Sequence, residues 1–115
     1  MKQNIVKDKS FEFSLKIIEL YKQLKLQKEF VLSKQLFRSG TSIGANIAES
    51  EAAYSRADFI HKLTLASKEA RETLYWLQLL DKSQVVKIDL KTDVENCEEM
   101  IRLLTSIIKT SRSNS

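Results

Sequence analysis

Apolar residues recur along this chain at steps of three and four, in four separate runs. In the first run, Phe13, Ile17, Leu20 and Leu24 fall at i, i+4, i+7 and i+11, the spacing of a stripe buried along one face of a helix. That spacing predicts a helix over about residues 10–27, with Ser10 as its N-cap. Phe11, Leu15 and Ile18 lie nearly opposite, so the helix is apolar on two sides. In the second run, Leu32, Leu36, Gly40, Ile43 and Ile47 share one side of a helix over about residues 30–53. Phe30, Phe37, Gly44 and Ala48 form a shoulder beside them. Gln35, Arg38, Ser42, Asn46 and Glu49 gather on the polar flank.

The third run, Phe59, Leu63, Ala66, Ala70, Thr73, Leu77 and Leu80, alternates by four and three. It predicts a helix over about residues 56–82, opened by a capping box of Ser55 with Asp58. Leu65, Trp76 and Leu79 make a second apolar side, on which His61 also projects. The fourth run, Leu90, Val94, Cys97, Ile101, Leu104 and Ile108, predicts a helix over about residues 89–110. Thr92 and Glu95 offer a second capping box. Residues 1–9 and 110–115 are polar and are expected to fray. The valines of Ser83–Ile88 are expected to cover one end of the assembly.

Four amphipathic helices with short links imply one all-α domain, an antiparallel up-down four-helix bundle. The 115-residue length suits a single core, and the absence of proline suits helices. One buried stripe per helix is enough for such a core. The extra stripes, Phe11, Leu15 and Ile18 on the first helix and Leu65, Trp76 and Leu79 on the third, would be exposed in a monomer. They predict self-association.

Both glycines, Gly40 and Gly44, fall inside the second helix. Together they cost about 2 kcal/mol relative to alanine. Close approach of another helix would offset that cost, and Ala66 and Ala70 of the third helix are the expected partners. The packing motif is Gly40, Ser42, Ile43, Gly44, Asn46 and Glu49.

The stretch QLFRSGTSIGANIAE, residues 35–49, resembles the signature of the four-helix-bundle proteins encoded in intervening sequences of bacterial 23S rRNA genes. That family often carries a ribosomal-protein label. It is similar in turn to the accessory variability proteins of diversity-generating retroelements. The likeness resumes in DFIHKLTLASKEARETLYWLQLL and covers most of residues 11–81. Gly44 stands where many members have proline, and Ser50 where many have glycine. The resemblance implies a ring-like homopentamer, binding to RNA or DNA, and a reverse transcriptase as a partner.

Charge agrees with a polyanion partner, though modestly. The net charge is +4, and residues 1–40 hold nine Lys and Arg against four Asp and Glu. Lys16, Lys22, Lys25, Lys28, Lys34 and Arg38 are the expected phosphate contacts, giving binding that is sensitive to salt. No aromatic RNA-reading motif is present, so recognition should not depend on sequence. The alternative is a protein-interaction scaffold.

Catalytic constellations are not visible. The one histidine, His61, and the one cysteine, Cys97, fall on different helices and fall short of a zinc set. Cys97 occupies a core position. Neither glycine belongs to a phosphate-cradling loop. Glu49, Glu69 and Glu72 are expected to pair with Arg38, Arg71 or Lys68 between helices. No metal, cofactor or enzymatic role is expected. No apolar run approaches a membrane span and no signal peptide is evident, so a soluble, cytoplasmic protein is expected.

Overall fold

The computed structural model describes residues 2–114, with side chains from residue 5 onward. Met1 and Ser115, parts of the two ends expected to fray, lie outside the described residues. The described residues form four helices: α1 (Lys2–Leu26), α2 (Leu32–Ser50), α3 (Arg56–Ser83) and α4 (Lys91–Ser113). No strand occurs among the described residues. The helices form a rod of 47 × 20 × 19 Å. α1 packs on α2, α2 on α3, α3 on α4 and α4 on α1; among the described residues the diagonal pairs do not meet. The rod therefore has four outer grooves.

The core is the sum of the four stripes. Leu24, Leu36, Ile43, Ala66, Ala70, Leu77, Cys97 and Leu104 are completely buried. Cys97 donates its thiol proton to the Ala70 carbonyl at 3.3 Å, across the α3–α4 seam.

Gly40 and Gly44 admit a neighbour, but that neighbour is α1 and not α3. A methyl group on Gly40 would lie 2.8–3.0 Å from the Ile17 side chain. One on Gly44 would lie 2.9 Å from Ser14 Oγ and 3.3 Å from the Ser10 carbonyl oxygen. α2 meets α3 through small polar groups: the Ser39 and Thr73 hydroxyls lie 2.9 Å apart, both buried.

Five helix ends depart from expectation. α1 begins eight residues before Ser10, which is buried inside the helix and donates to the Lys7 carbonyl. Val6, seven residues before Phe13, is 2 % exposed and carries the core stripe onward. Burial of that one side chain gives the early turns a tertiary reason to form. α4 continues past residue 110, where the Arg56 guanidinium donates to the Ser111 carbonyl at 3.3 Å. Its start is not capped by Thr92; instead the Asp89 carboxylate accepts from the Lys91 amide at 3.0 Å. α2 is shorter than expected at both ends.

Where α1 ends, Lys28 adopts a left-handed conformation, φ 64°. The Lys28 amide donates to Lys25 and the Glu29 amide to Leu24, both at 2.9 Å. This is a Schellman closure. Glu29 then caps α2, accepting from the Val31 and Ser33 amides. At the start of α3, the Asp58 amide donates to Ser55 Oγ at 3.0 Å. The α3–α4 connection is fastened to the end of α1 by the Gln27 amide, which donates to the Lys87 carbonyl and accepts from its N–H. One valine of that connection, Val86, is buried, while Val85 stays exposed.

Candidate functional site

The four outer grooves differ in chemistry. The α1–α2 groove is mainly apolar, with Lys7, Asp8 and Glu12 also in its lining. Its floor is made where Gly44, Ala45 and Ala48 of α2 face Ser10 and Ser14 of α1, and Phe11 and Ile18 form its wall. The hollow holds about 630 Å³. Phe11 is 67 % exposed and Leu15 50 %. Further along, the Tyr21 and Phe37 rings sit 4.7 Å apart and the Lys25 ammonium lies 5.1 Å from the Tyr21 ring centre. A second hollow, bounded by Tyr21, Lys22, Lys25, Leu26 and Phe30, continues the same side.

The α2–α3 groove is an ion-pair groove with aromatic neighbours. Arg38 of α2 donates to Glu69 at 3.1 Å and also to Glu72, both on α3. Trp76 donates its indole N–H to Glu72 at 3.1 Å. That indole bond is the leading reason the Glu72 carboxyl is held below its usual range; Arg38 adds to it. Glu72 in turn raises the Arg38 guanidinium. Half of the Arg38 side chain remains in solvent, so these bonds fix the geometry more than they stabilise the fold. Leu65, Trp76 and Leu79 are half-buried on α3, and the exposed Tyr75 ring stands 5.2 Å from Trp76.

The α4–α1 groove mixes signs. Lys9 reaches Glu99 at 3.3 Å, with Glu12, Lys16 and Asn96 beside them. Asp93, also on α4, is pushed above the usual carboxylate range by burial; Lys16 partly opposes the shift.

The α3–α4 groove is basic. It holds about 620 Å³, and its lining includes Lys68, Arg71, Lys109 and Arg112 with no carboxylate.

The six expected phosphate contacts are therefore not gathered on one strip. Lys16 belongs to the α4–α1 groove. Lys22, bonded to Glu19, and Lys25 belong to the α1–α2 side. Lys28 closes α1, and Lys34 is exposed on α2. Arg38 is occupied by two carboxylates. The α3–α4 cluster escaped notice because its members come from two helices some forty residues apart, within a half of the chain that is acidic on balance.

The packing motif divides in the same way. Gly40 and Ile43 are buried. Ser42 donates to the Arg38 carbonyl and Asn46 to the Ser42 carbonyl, while Glu49 is exposed. His61 is exposed. Burial pushes the Cys97 thiol up to about 12. Among the described residues no cluster of three or more His, Cys, Asp or Glu could hold a metal ion. No helix is long and apolar enough to cross a membrane.

What the fold defines is a four-helix bundle whose outer grooves carry unlike chemistry. The chain belongs to the 23S rRNA-intervening sequence protein family, which it matches over residues 2–107. It is similar to a crystal structure, at 1.70 Å, of a protein of unknown function from the S23 ribosomal protein family of Bacteroides thetaiotaomicron VPI-5482. The two are 56% identical, the match covers 95% of this chain and 99% of that one, and the TM-score is 0.90. No curated protein matches.

Proposed function

We propose that this protein is a non-enzymatic homo-oligomer that binds RNA or DNA through a basic surface, without strong sequence preference. The bundle is an up-down antiparallel one; the cross-helix pairs 7–51, 10–44 and 17–40 support that sense for α1 and α2. Pairs 56–111 and 70–97 support it for α3 and α4. The observation that carries the assembly is the open apolar hollow between α1 and α2, walled by the protruding Phe11. A side that buries nothing in the monomer has a second surface as its natural cover. The half-buried Leu65, Trp76 and Leu79 lie toward the next groove, on an adjacent side of the rod. Joining two different faces of each copy is a heterologous contact, which gives a ring when the rotation closes. The family resemblance favours five copies.

The test is mass and binding in solution. Light scattering after gel filtration is expected to give a mass five times that of one chain. Phe11→Glu with Ile18→Glu is expected to release monomers that keep their helical signal. The oligomer is expected to retain labelled RNA or DNA at 50 mM salt and to release it at 200 mM. A wild-type monomer would end the assembly reading. A stable oligomer indifferent to all nucleic acids would favour a protein scaffold, with a partner such as a reverse transcriptase.

A further inference from the structure

We propose that the α3–α4 groove is the phosphate-binding track of this protein, and that its ligand is the phosphodiester backbone of a nucleic-acid strand. The proposal rests on the nucleic-acid reading above and assigns it to a surface outside the six residues expected from the sequence.

Three of the four grooves fail as tracks for a polyanion. Between α1 and α2 the main hollow has an apolar floor, and the carboxylates of Asp8 and Glu12 stand in its lining. Between α2 and α3 the cation, Arg38, is already bound by Glu69 and Glu72. Between α4 and α1 the Lys9 charge is met by Glu99, and Glu12 is close by. Among the described residues the lining of the α3–α4 groove brings together four cations and no carboxylate; the smaller hollow of Tyr21, Lys22 and Lys25 also lacks a carboxylate, but its Lys22 is paired with Glu19. Lys68 and Arg71 stand one turn apart on α3, and Lys109 and Arg112 one turn apart on α4. Lys68, Arg71 and Lys109 form no ion pair among the described residues. Glu72 senses the Lys68 charge but is bonded to Arg38 and Trp76.

Two rows of like charge facing each other repel, and they persist most readily where a counter-charge lies between them. A row of phosphates supplies that charge continuously along a groove. The cations lie on long side chains at the rim, and Ile108 is apolar and almost buried within the lining. No aromatic ring lines the groove, so bases find no stacking platform there. The Thr64 and Thr105 hydroxyls donate to carbonyls of their own helices, at 2.8 Å each. Contact would therefore come from ammonium and guanidinium groups with phosphate, which positions a strand without reading it. The assembly proposed above uses the α1–α2 and α2–α3 sides. It leaves the α3–α4 groove of every copy open to solvent, and repetition around a ring multiplies the field.

The experiment measures fluorescence anisotropy of labelled 20-nucleotide single-stranded and duplex RNA and DNA, at several salt concentrations. The full-length oligomer is compared with Arg71→Glu/Lys109→Glu, with the milder Arg71→Gln/Lys109→Gln, and with Lys22→Glu/Lys25→Glu. Circular dichroism melts and light scattering establish that each variant is folded and assembled. The Glu pair is expected to weaken binding at least tenfold at 50 mM salt, and the Gln pair to weaken it less while flattening the dependence on salt. The Lys22/Lys25 variant is expected to bind within about threefold of wild type. Equal binding by wild type and both groove variants overturns the assignment but leaves nucleic-acid binding intact. No binding by wild type to any of the four probes overturns both. The RNA and DNA arms identify which strand the track prefers.

Discussion

The α1–α2 and α3–α4 grooves lie on opposite sides of one bundle and are built on equally regular core stripes, yet they offer opposite chemistry. In the first, glycine, alanine and serine bring two helices together and leave a hollow with an exposed phenylalanine at its wall. In the second, the seam is closed by Cys97 against Ala70, and the rim is lined with cations. The stripes make the bundle; the residues beside the stripes, contributed by two helices at once, decide what each side can do. A hollow with an apolar floor and charges of both signs in its lining suits another copy of the chain. A rim of several cations suits a polyanion.

The largest effect is expected on the glycine side. Gly40→Ala gains about 1 kcal/mol of helix propensity. It also drives a methyl group into buried Ile17, meeting both γ carbons and the δ carbon of that β-branched side chain. Overpacking of that kind costs about 1–3 kcal/mol. The net expectation is a loss of up to about 2 kcal/mol, with a fall in Tm of about 4–8 °C for each kcal/mol lost. Gly44→Ala meets the Ser14 hydroxyl, which can turn aside, and is expected to be near neutral. Ile17→Ala opens space for the new methyl, so the Gly40→Ala/Ile17→Ala pair should lose less than the two single changes combined. Strict additivity in urea melts would show that the seam is not close-packed.

The opposite seam is tested by reagent access. Burial keeps the Cys97 thiol protonated, pushed up to about 12. The thiolate is the reactive form, so labelling with a thiol reagent at pH 8 is expected to be at least a hundredfold slower than in the urea-unfolded chain. The sign of the pH effect follows. The unfolded thiol ionises near 8.5 and the folded one near 12. The stability contributed is whole below 8.5 and is lost as pH rises toward 12. Fast labelling at pH 8 with the helical signal intact would mean that the α3–α4 seam opens.

The same contrast explains what was legible in the sequence. The core of each helix was legible because a stripe is periodic within one helix: Phe13, Ile17, Leu20 and Leu24 announce their own burial. That the glycines admit a neighbour was legible; which neighbour was not. Ile17 against Gly40 is a contact between helices, and spacing within a helix carries no information about it. The early start of α1 was present in the sequence as Val6, one heptad before Phe13, but Ser10 between them resembled a cap. Ser10 is small because α2 passes close to it, a fact that lives only in the assembled bundle. The basic groove was hidden for the same reason. Lys68 and Arg71 sit in a helix also rich in acids, and only packing brings Lys109 beside them.

Away from both grooves, the turn after α1 offers a smaller gain. Lys28 holds a left-handed conformation, φ 64°, which costs a side chain bearing Cβ about 1 kcal/mol relative to glycine. Lys28→Gly is expected to raise Tm by about 4 °C. Because Lys28 lies outside the α3–α4 groove, the change is also expected to leave nucleic-acid binding unaltered. A drop in binding would return the phosphate track to the α1 end of the molecule.

The smallest effect is expected at Asp93, and there the pH dependence is more telling than the size. Burial lifts its carboxyl above the ordinary range, with Asp89 adding to the lift and Lys16 opposing it. The folded form therefore holds the proton more tightly than the unfolded form does. A raised value favours folding below the unfolded pKa of about 3.9, and that advantage is lost as pH climbs through the folded value; at neutral pH the ionised group is a small burden. Asp93→Asn removes the burden but also removes a negative charge from the first turn of α4, where the helix dipole welcomes one. The two effects oppose each other, so Tm at pH 7 should rise by only about 1–3 °C. The gain should shrink steadily as pH is lowered to 3, where wild type is protonated as well. Glu72→Gln should do the reverse, lowering Tm at pH 7, because the Trp76 and Arg38 bonds hold Glu72 below its usual range and their contribution fades as pH falls through the lowered value. If both variants responded alike between pH 7 and pH 3, the two carboxylates would have the same surroundings, and the chemical difference between these two opposite grooves would be lost.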